Sequence, residues 1–156
     1  MARPDHSAIL GRDLGVLYRI TDGRHEDLDL DTIPRNVRGN RVTDLVSVDG
    51  VDNAAQAVVH RVKTVRGELT DVGHPDYGSR HHELIGQPNN ERNRNLVKLY
   101  ILRALADEPR IEKVHKAEIL PGAGPAWDQV TISLTLSFIG ADAAHNLVVP
   151  DRKSVV

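Results

Sequence analysis

The chain has no cysteine, a single tryptophan, phenylalanine and methionine, and only 3% aromatic residues among its 156. Without cysteine there are no disulfides and no thiolate chemistry, although this does not fix a compartment. So few rings argue against a base-stacking platform for nucleic acid. No apolar run approaches the ~18 residues of a membrane-spanning helix. The N-terminus, Met1-Ala-Arg-Pro-Asp-His6, has no apolar signal region, so export through the general secretory route is not expected. A formal net charge of −2 points to no polyanionic partner. No internal repeat and no low-complexity tract is present.

The length suits one domain with a real core, burying about 68–70% of its unfolded surface. Basic residues are 15 Arg against 5 Lys. Arginine suits interface ion pairs because its planar fork grips carboxylates; a GC-rich coding sequence gives the same bias.

The first fifty residues read as an approach. Residues 1–12 form an arm, 15–20 a short strand, and Asp22-Gly23 a break. Leu28, Leu30 and Ile33 alternate with Asp27, Asp29 and Asp31, an extended segment with one apolar side. The aspartates lack the Gly and terminal Glu of an EF-hand loop, so no metal is expected there. Residues 35–41 read as a polar loop and 44–48 as another strand.

Residues 53–110 organise the rest. Asn53 is a candidate helix cap, with Gln56 reaching back. Ala54, Val58, Val62 and Val65 recur at helical spacing. A polar connection with His74-Pro-Asp-Tyr-Gly-Ser79 follows. A second helix, capped by Asn89, Asn90 or Asn93, carries Leu96, Leu99, Tyr100, Leu102, Leu105 and Ala106, with Val97 and Ile101 on a further side. Pro109 disfavours helical geometry at Glu108 and ends it. A carboxylate at a helix C-terminus is disfavoured by about 0.3–1 kcal/mol when exposed. Glu108 is therefore either a solvent-exposed residue without a role or, with Arg110, a rigid corner held to pair with another chain.

In the connection, His74, His81, His82 and Glu83 have neither zincin spacing nor a cysteine partner, and the histidines read as surface residues. Glu68, Asp71, Asp76 and Glu83 can supply a carboxylate pair for glycoside hydrolysis in principle. That chemistry needs a raised pKa in an apolar pocket and a sugar cleft, and the loop offers one ring, Tyr77. No phosphate loop, dinucleotide fingerprint or Ser/His/Asp set is visible. After Arg110 the period changes to two. Residues 111–120 read as a strand, 121–125 as a loop, and 130–138 alternate apolar with Thr131, Ser133, Thr135 and Ser137. That strand carries no charge and no proline, as expected of an edge covered by a partner strand; a central position in the chain's own sheet is the alternative. From Gly140 the chain reads as irregular.

Four pieces stand in order: Arg66-Gly67-Glu68 at the first helix end, Pro75-Asp76-Tyr77-Gly78 in the connection, the second helix, then Glu108-Pro109-Arg110-Ile111. This order, over roughly residues 50–140, resembles the baseplate wedge family of contractile phage tails, historically called lysozyme-like. That family includes the TssE subunit of type VI secretion and counterparts in extracellular contractile injection systems. The segment Arg80-His81-His82-Glu83 departs from its pattern by its charge.

The expected fold is α+β: two main helices packed on a small antiparallel sheet, with an extended N-terminal arm and a C-terminal β-hairpin. Residues 1–50 would be the arm with its short strands, 51–140 the wedge core and 141–156 a tail. The resemblance implies a structural subunit, not an enzyme, with no cofactor and no metal. It implies docking on the sheath protein and on other baseplate wedge proteins, around a central spike or tube hub. Several copies would form a ring-like assembly, built in the cytoplasm, without nucleic acid or membrane insertion. The implied contact residues are Glu108, Pro109 and Arg110, together with Val130, Thr131, Ile132, Ser133, Leu134, Thr135 and Leu136, whose strand would be shared with the first sheath ring. A peptidoglycan hydrolase and a stand-alone peptide-binding module are the alternatives.

Overall fold

The computed structural model describes residues 6–21, 25–122 and 129–151. They fall into two compact units, residues 1–56 and 57–156, divided within helix α2 (Gly50–Lys63).

The first unit holds α1 (His6–Leu10) and six strands: β1 (Arg12–Leu14), β2 (Val16–Thr21), β3 (His25–Leu30), β4 (Thr32–Val37), β5 (Asn40–Leu45) and β6 (Ser47–Asp49). They pair antiparallel as three separate ribbons, β1 with β6, β2 with β3 and β4 with β5. The ribbons part at a three-way junction closed by a ring of backbone hydrogen bonds. Gly15 N–H donates to Val46 C=O (2.7 Å), Val46 N–H to Asp31 C=O (3.0 Å) and Asp31 N–H to Gly15 C=O (2.8 Å). The ring gives a partner to backbone groups that no ladder reaches.

Two expectations are corrected here. The expected polar loop at 35–41 is the hairpin β4–β5, turned at Arg38 and Gly39, both with positive φ (51° and 83°); this is the backbone that a two-residue hairpin turn requires. The expected capping pair is not a cap. Because α2 begins at Gly50, Asn53 and Gln56 sit within the helix. Asn53 Nδ2 donates to Leu10 C=O (2.8 Å). Gln56 Oε1 accepts from Val16 N–H (2.9 Å), and its Nε2 donates to Leu14 C=O (2.8 Å). Both amides tie the preceding backbone to the helix.

The second unit continues α2 through two 3-10 turns (Thr70–Val72 and His81–Leu84) into α3 (Glu91–Ala106), then β7 (Ile111–Pro121), β8 (Val130–Phe138) and β9 (His145–Asp151). The fold is α+β, as expected. The expected C-terminal hairpin is a three-stranded antiparallel sheet in the order β7-β8-β9, and its third strand comes from the segment expected to be irregular. Residues 123–125 of the expected loop lie outside the described residues.

Asn90 caps α3, its side chain accepting from Asn93 N–H (2.9 Å). The helix buries Val97, Ile101, Ala104 and Leu105 and runs along β7. Its main buried stripe is thus the side that the leucine pattern ranked second, and Leu99 faces out. In β8 the even positions, Val130 to Phe138, are all buried, and the odd ones are half-buried. Burying a side chain of this kind stabilises by about 1.5–3 kcal/mol.

The expectation of an open edge at β8 is overturned. Val130, Thr131, Ile132, Ser133, Leu134, Thr135 and Leu136 have register partners in both β7 and β9. A central strand has no free ladder to protect, which accounts for its lack of charge and proline. Among the described residues no helix is long and apolar enough to cross a membrane.

Candidate functional site

The second unit brings two of the separated sequence pieces, Tyr-Gly and Glu-Pro-Arg, together at the end of α3. Glu108 follows the last turn, and its N–H donates to Leu105 C=O (3.1 Å). Its own carbonyl accepts from Ile111 N–H (3.2 Å). Pro109 therefore occupies the second position of a tight turn, where its fixed φ is pre-set. This turn delivers the chain from α3 into β7 and holds Glu108 beneath it.

Glu108 is 4% exposed, against the expectation of a solvent-facing residue. Its carboxylate is gripped from both sides. Arg110 Nε donates to Oε1 (2.6 Å) and Arg61 Nε to Oε2 (3.2 Å). Burial alone raises its pKa; the hydrogen bond and charge of Arg110, with the charge of Arg61, outweigh this and leave it lowered. The carboxylate is thus ionised and paired within its own chain. Arg110 remains half-buried at the surface of this cluster.

Arg61 is the member that the sequence reading passes over. It is 8% exposed, and Tyr77 lies over its guanidinium, 4.4 Å from Cζ to the ring centroid. Its position gives the signal: it lies on α2 beside Val58 and Val62, both buried. An arginine on an apolar helical face needs a carboxylate. Burial raises the pKa of Tyr77, against the opposing charge of Arg61.

The connection is seated by Gly78. Arg66 N–H donates to Ser79 C=O (3.1 Å) and Ser79 N–H to Thr64 C=O (2.9 Å). A Cβ on Gly78 would lie 2.5 Å from the Thr64 carbonyl oxygen. Glu68 Oε2 accepts from Val65 N–H (3.1 Å), so the Gly-Glu piece closes the end of α2. The Tyr-Gly and Glu-Pro-Arg pieces are therefore joined through Arg61, while the Gly-Glu piece acts locally at the end of α2.

Beside this cluster lies a cleft of about 480 Å³, lined by Arg61, Arg66, His74, Asp76, Tyr77 and Arg103 among others. Arg66 pairs with Asp76 at 2.6 Å, and Asp76 is otherwise open to solvent. Glu83 lies apart, gripped by Arg80 at 2.7 Å, which lowers its pKa. Arg61 and Arg66 are both engaged by carboxylates of this chain, Glu108 and Asp76. His81 was expected at the surface; it is buried, with Nδ1 2.9 Å from Ser79 Oγ, and serves the seating of the connection. Among the described residues no group of His, Asp and Glu is placed to hold a metal ion.

A crystal structure of a candidate tail lysozyme from Geobacter sulfurreducens shares this fold. The TM-score is 0.56 at 24% identity, covering 64% of this chain and 87% of that one. No protein-family model and no curated protein sequence matches the chain. At this identity the likeness is one of fold.

Of the expected contact residues, Glu108, Pro109 and Arg110 form one corner, with Pro109 exposed. Residues 130–136 lie in the middle of the sheet, their even side chains in the core. Among the described residues, the ladders without a neighbouring strand are the outer sides of β7 and β9. β7 carries two register irregularities and the charges Lys113, Lys116 and Glu118, which blunt an edge. On β9, Asn146 and Val148 are exposed.

Proposed function

We propose that this chain is a structural baseplate subunit of a contractile tail or injection machine, not an enzyme. It docks on neighbouring baseplate proteins through the exposed Pro109 and half-buried Arg110 of the corner that the buried Glu108 holds in place, and starts the sheath by strand sharing. One observation carries the reading. The Pro-Asp-Tyr-Gly and Glu-Pro-Arg pieces that resemble the wedge family meet on one buried side chain, Arg61, which lies against the Tyr77 ring and binds the Glu108 carboxylate that Arg110 also holds. A fold shared with a candidate tail protein supports it. Strand sharing is assigned to the outer side of β9, because β8 is occupied on both sides.

Deleting the gene in its host and imaging the particles by electron microscopy tests the reading. The expected result is tubes or baseplates without extended sheath, restored by the gene in trans. Normal sheathed particles in the deletion strain would overturn it.

A peptidoglycan hydrolase is the second reading, favoured by the name of the structural neighbour. A retaining or inverting glycosidase needs two carboxyl groups about 5–9.5 Å apart, one of them with a raised pKa. Here Glu83 and Glu108 are both lowered, each held by arginine. The purified chain is expected to leave peptidoglycan intact in a turbidity assay. Cleavage that persists through purification and is abolished by Asp76→Asn or Glu68→Gln would establish the hydrolase.

A further inference from the structure

Helix α3 carries two apolar stripes, and the fold uses one of them. Val97, Ile101, Ala104 and Leu105 are buried, and the helix runs along β7. Leu96 and Leu99 belong to the other stripe, where Leu99 is 58% exposed. With Glu91, Arg92 and Asn95 they line a shallow apolar depression on the outer surface of the helix. A helix with a second apolar stripe left in water presents a surface for another chain.

The outer stripe has a regular period. Arg92, Leu96, Leu99, Arg103 and Ala106 follow one another at steps of four, three, four and three. That 3.5-residue repeat is the seam on which a second helix sets its side chains between those of the first. Leu96 is half-buried and the other four are exposed. The chain's own packing does not use the repeat, because its core takes the opposite stripe.

Charge decides what covers the seam. Arg92 and Arg103 stand at the two ends of the leucine pair, eleven positions or about 16 Å apart along the axis. Neither has an ion-pair partner among the described residues, Asp107 one turn beyond Arg103 included. On the flank toward β7, Glu91 and Lys98 are of opposite sign and leave no net charge. The seam is therefore positive at both ends. A second copy of α3 does not suit it. Laid antiparallel, with Leu96 against Leu99 of the partner, it would set Arg92 against Arg103; laid parallel in register, each arginine would meet its own copy. Like charges across a contact disfavour both arrangements.

We propose that the outer seam of α3 docks an acidic amphipathic helix of a partner protein. Apolar side chains of that helix cover Leu96 and Leu99, and two carboxylates eleven positions apart pair with Arg92 and Arg103. The planar guanidinium fork suits a carboxylate in such a place. The 4-3-4 spacing reads the same in both directions, so the charges match a helix of either polarity. The contact uses neither the Glu108 corner nor the outer side of β9, so it stands or falls independently of the tail reading.

Fluorescence anisotropy on the full chain reads the docking, with two labelled helical peptides of three heptads as probes. Both carry leucine at the two central seam positions and Ala and Gln elsewhere; one has Glu and the other Lys at the two outer seam positions. The Glu peptide should bind, and the Lys peptide should bind about tenfold more weakly or worse. Added salt should narrow the gap. Arg92→Glu with Arg103→Glu should keep the wild-type melting curve, because both side chains are exposed, and should reverse the preference between the peptides. Leu99→Ala should weaken the Glu peptide about tenfold. A Glu peptide that fails to bind, two peptides that bind alike, or a preference that survives the double reversal would overturn the proposal. So would a wild-type chain that dimerises and is returned to a monomer by Leu99→Ala, which would give the seam to a second copy.

Discussion

Replacing Glu108 by alanine is expected to destabilise the chain by about 3–5 kcal/mol, the range for removing one partner of a buried ion pair. The reason is what remains. Arg61 would stay largely enclosed on α2, under the ring of Tyr77, with its carboxylate gone. For a chain of this length the melting temperature should fall by about 2–4 °C per kcal/mol. Arg61→Met should cost less, because Glu108 keeps the 2.6 Å bond to Arg110, which reaches solvent. Joining Arg61→Met to Glu108→Leu should recover part of the loss, because apolar replacement of both partners removes the desolvation cost. Thermal melts of the three variants decide the matter. An alanine variant that melts as wild type would show that the carboxylate is not held as described.

The same residue sets an acid limb. Its folded pKa lies below the unfolded value, so the unfolded chain binds more protons at this position and stability rises with pH there. The contribution is complete above about pH 4.3, the unperturbed glutamate value, and is lost as pH falls through the lowered folded pKa. Glu108→Gln should flatten that limb and leave the neutral-pH slope unchanged.

How much was readable depended on whether a segment's pattern is local. The alternation in residues 130–138 is complete, and the strand has those bounds. The second helix and its stop at Pro109 are also local signals, and they stand in the structure, which takes Asn90 as the cap from the three asparagines the sequence offers. What sequence could not give was pairing. The same uncharged alternation suits a covered edge and a central strand, and the choice fell to β9, where Asn146, Leu147, Val148 and Val149 show no period of two and Pro150 argues against a strand interior. The β4–β5 ribbon was hidden because its turn uses Arg38-Gly39 where Asn-Gly is the strong signal. In the candidate site the Glu-Pro-Arg corner was readable as a motif. Its burial was not, because the cation that makes burial tolerable comes from Arg61, 47 positions away.

Gly78→Ala is expected to be the most damaging conservative change in the connection. Two separate costs act there. The φ of +98° disfavours any L side chain, at about 1–3 kcal/mol for a strained position. The added Cβ would also lie 2.5 Å from Thr64 O and 3.0 Å from Arg66 N, both backbone atoms at the close of α2 that cannot rotate away. Overpacking of this kind adds about 1–3 kcal/mol. Gly86 supplies the control: its φ is +81°, yet nothing lies within 4 Å of a Cβ built there. Gly86→Ala should therefore show the conformational cost alone, and the gap between the two variants measures the close approach. The gap has a second consequence. If Ser79 leaves Thr64 and Arg66, Tyr77 leaves Arg61, and the grip on Glu108 loosens with it. The stability lost on Glu108→Ala should then be smaller in a Gly78→Ala background than in the wild type, and unchanged in a Gly86→Ala background. Equal losses in all three backgrounds would mean that the Tyr-Gly piece and the Glu-Pro-Arg corner are independent neighbours, not parts of one cluster.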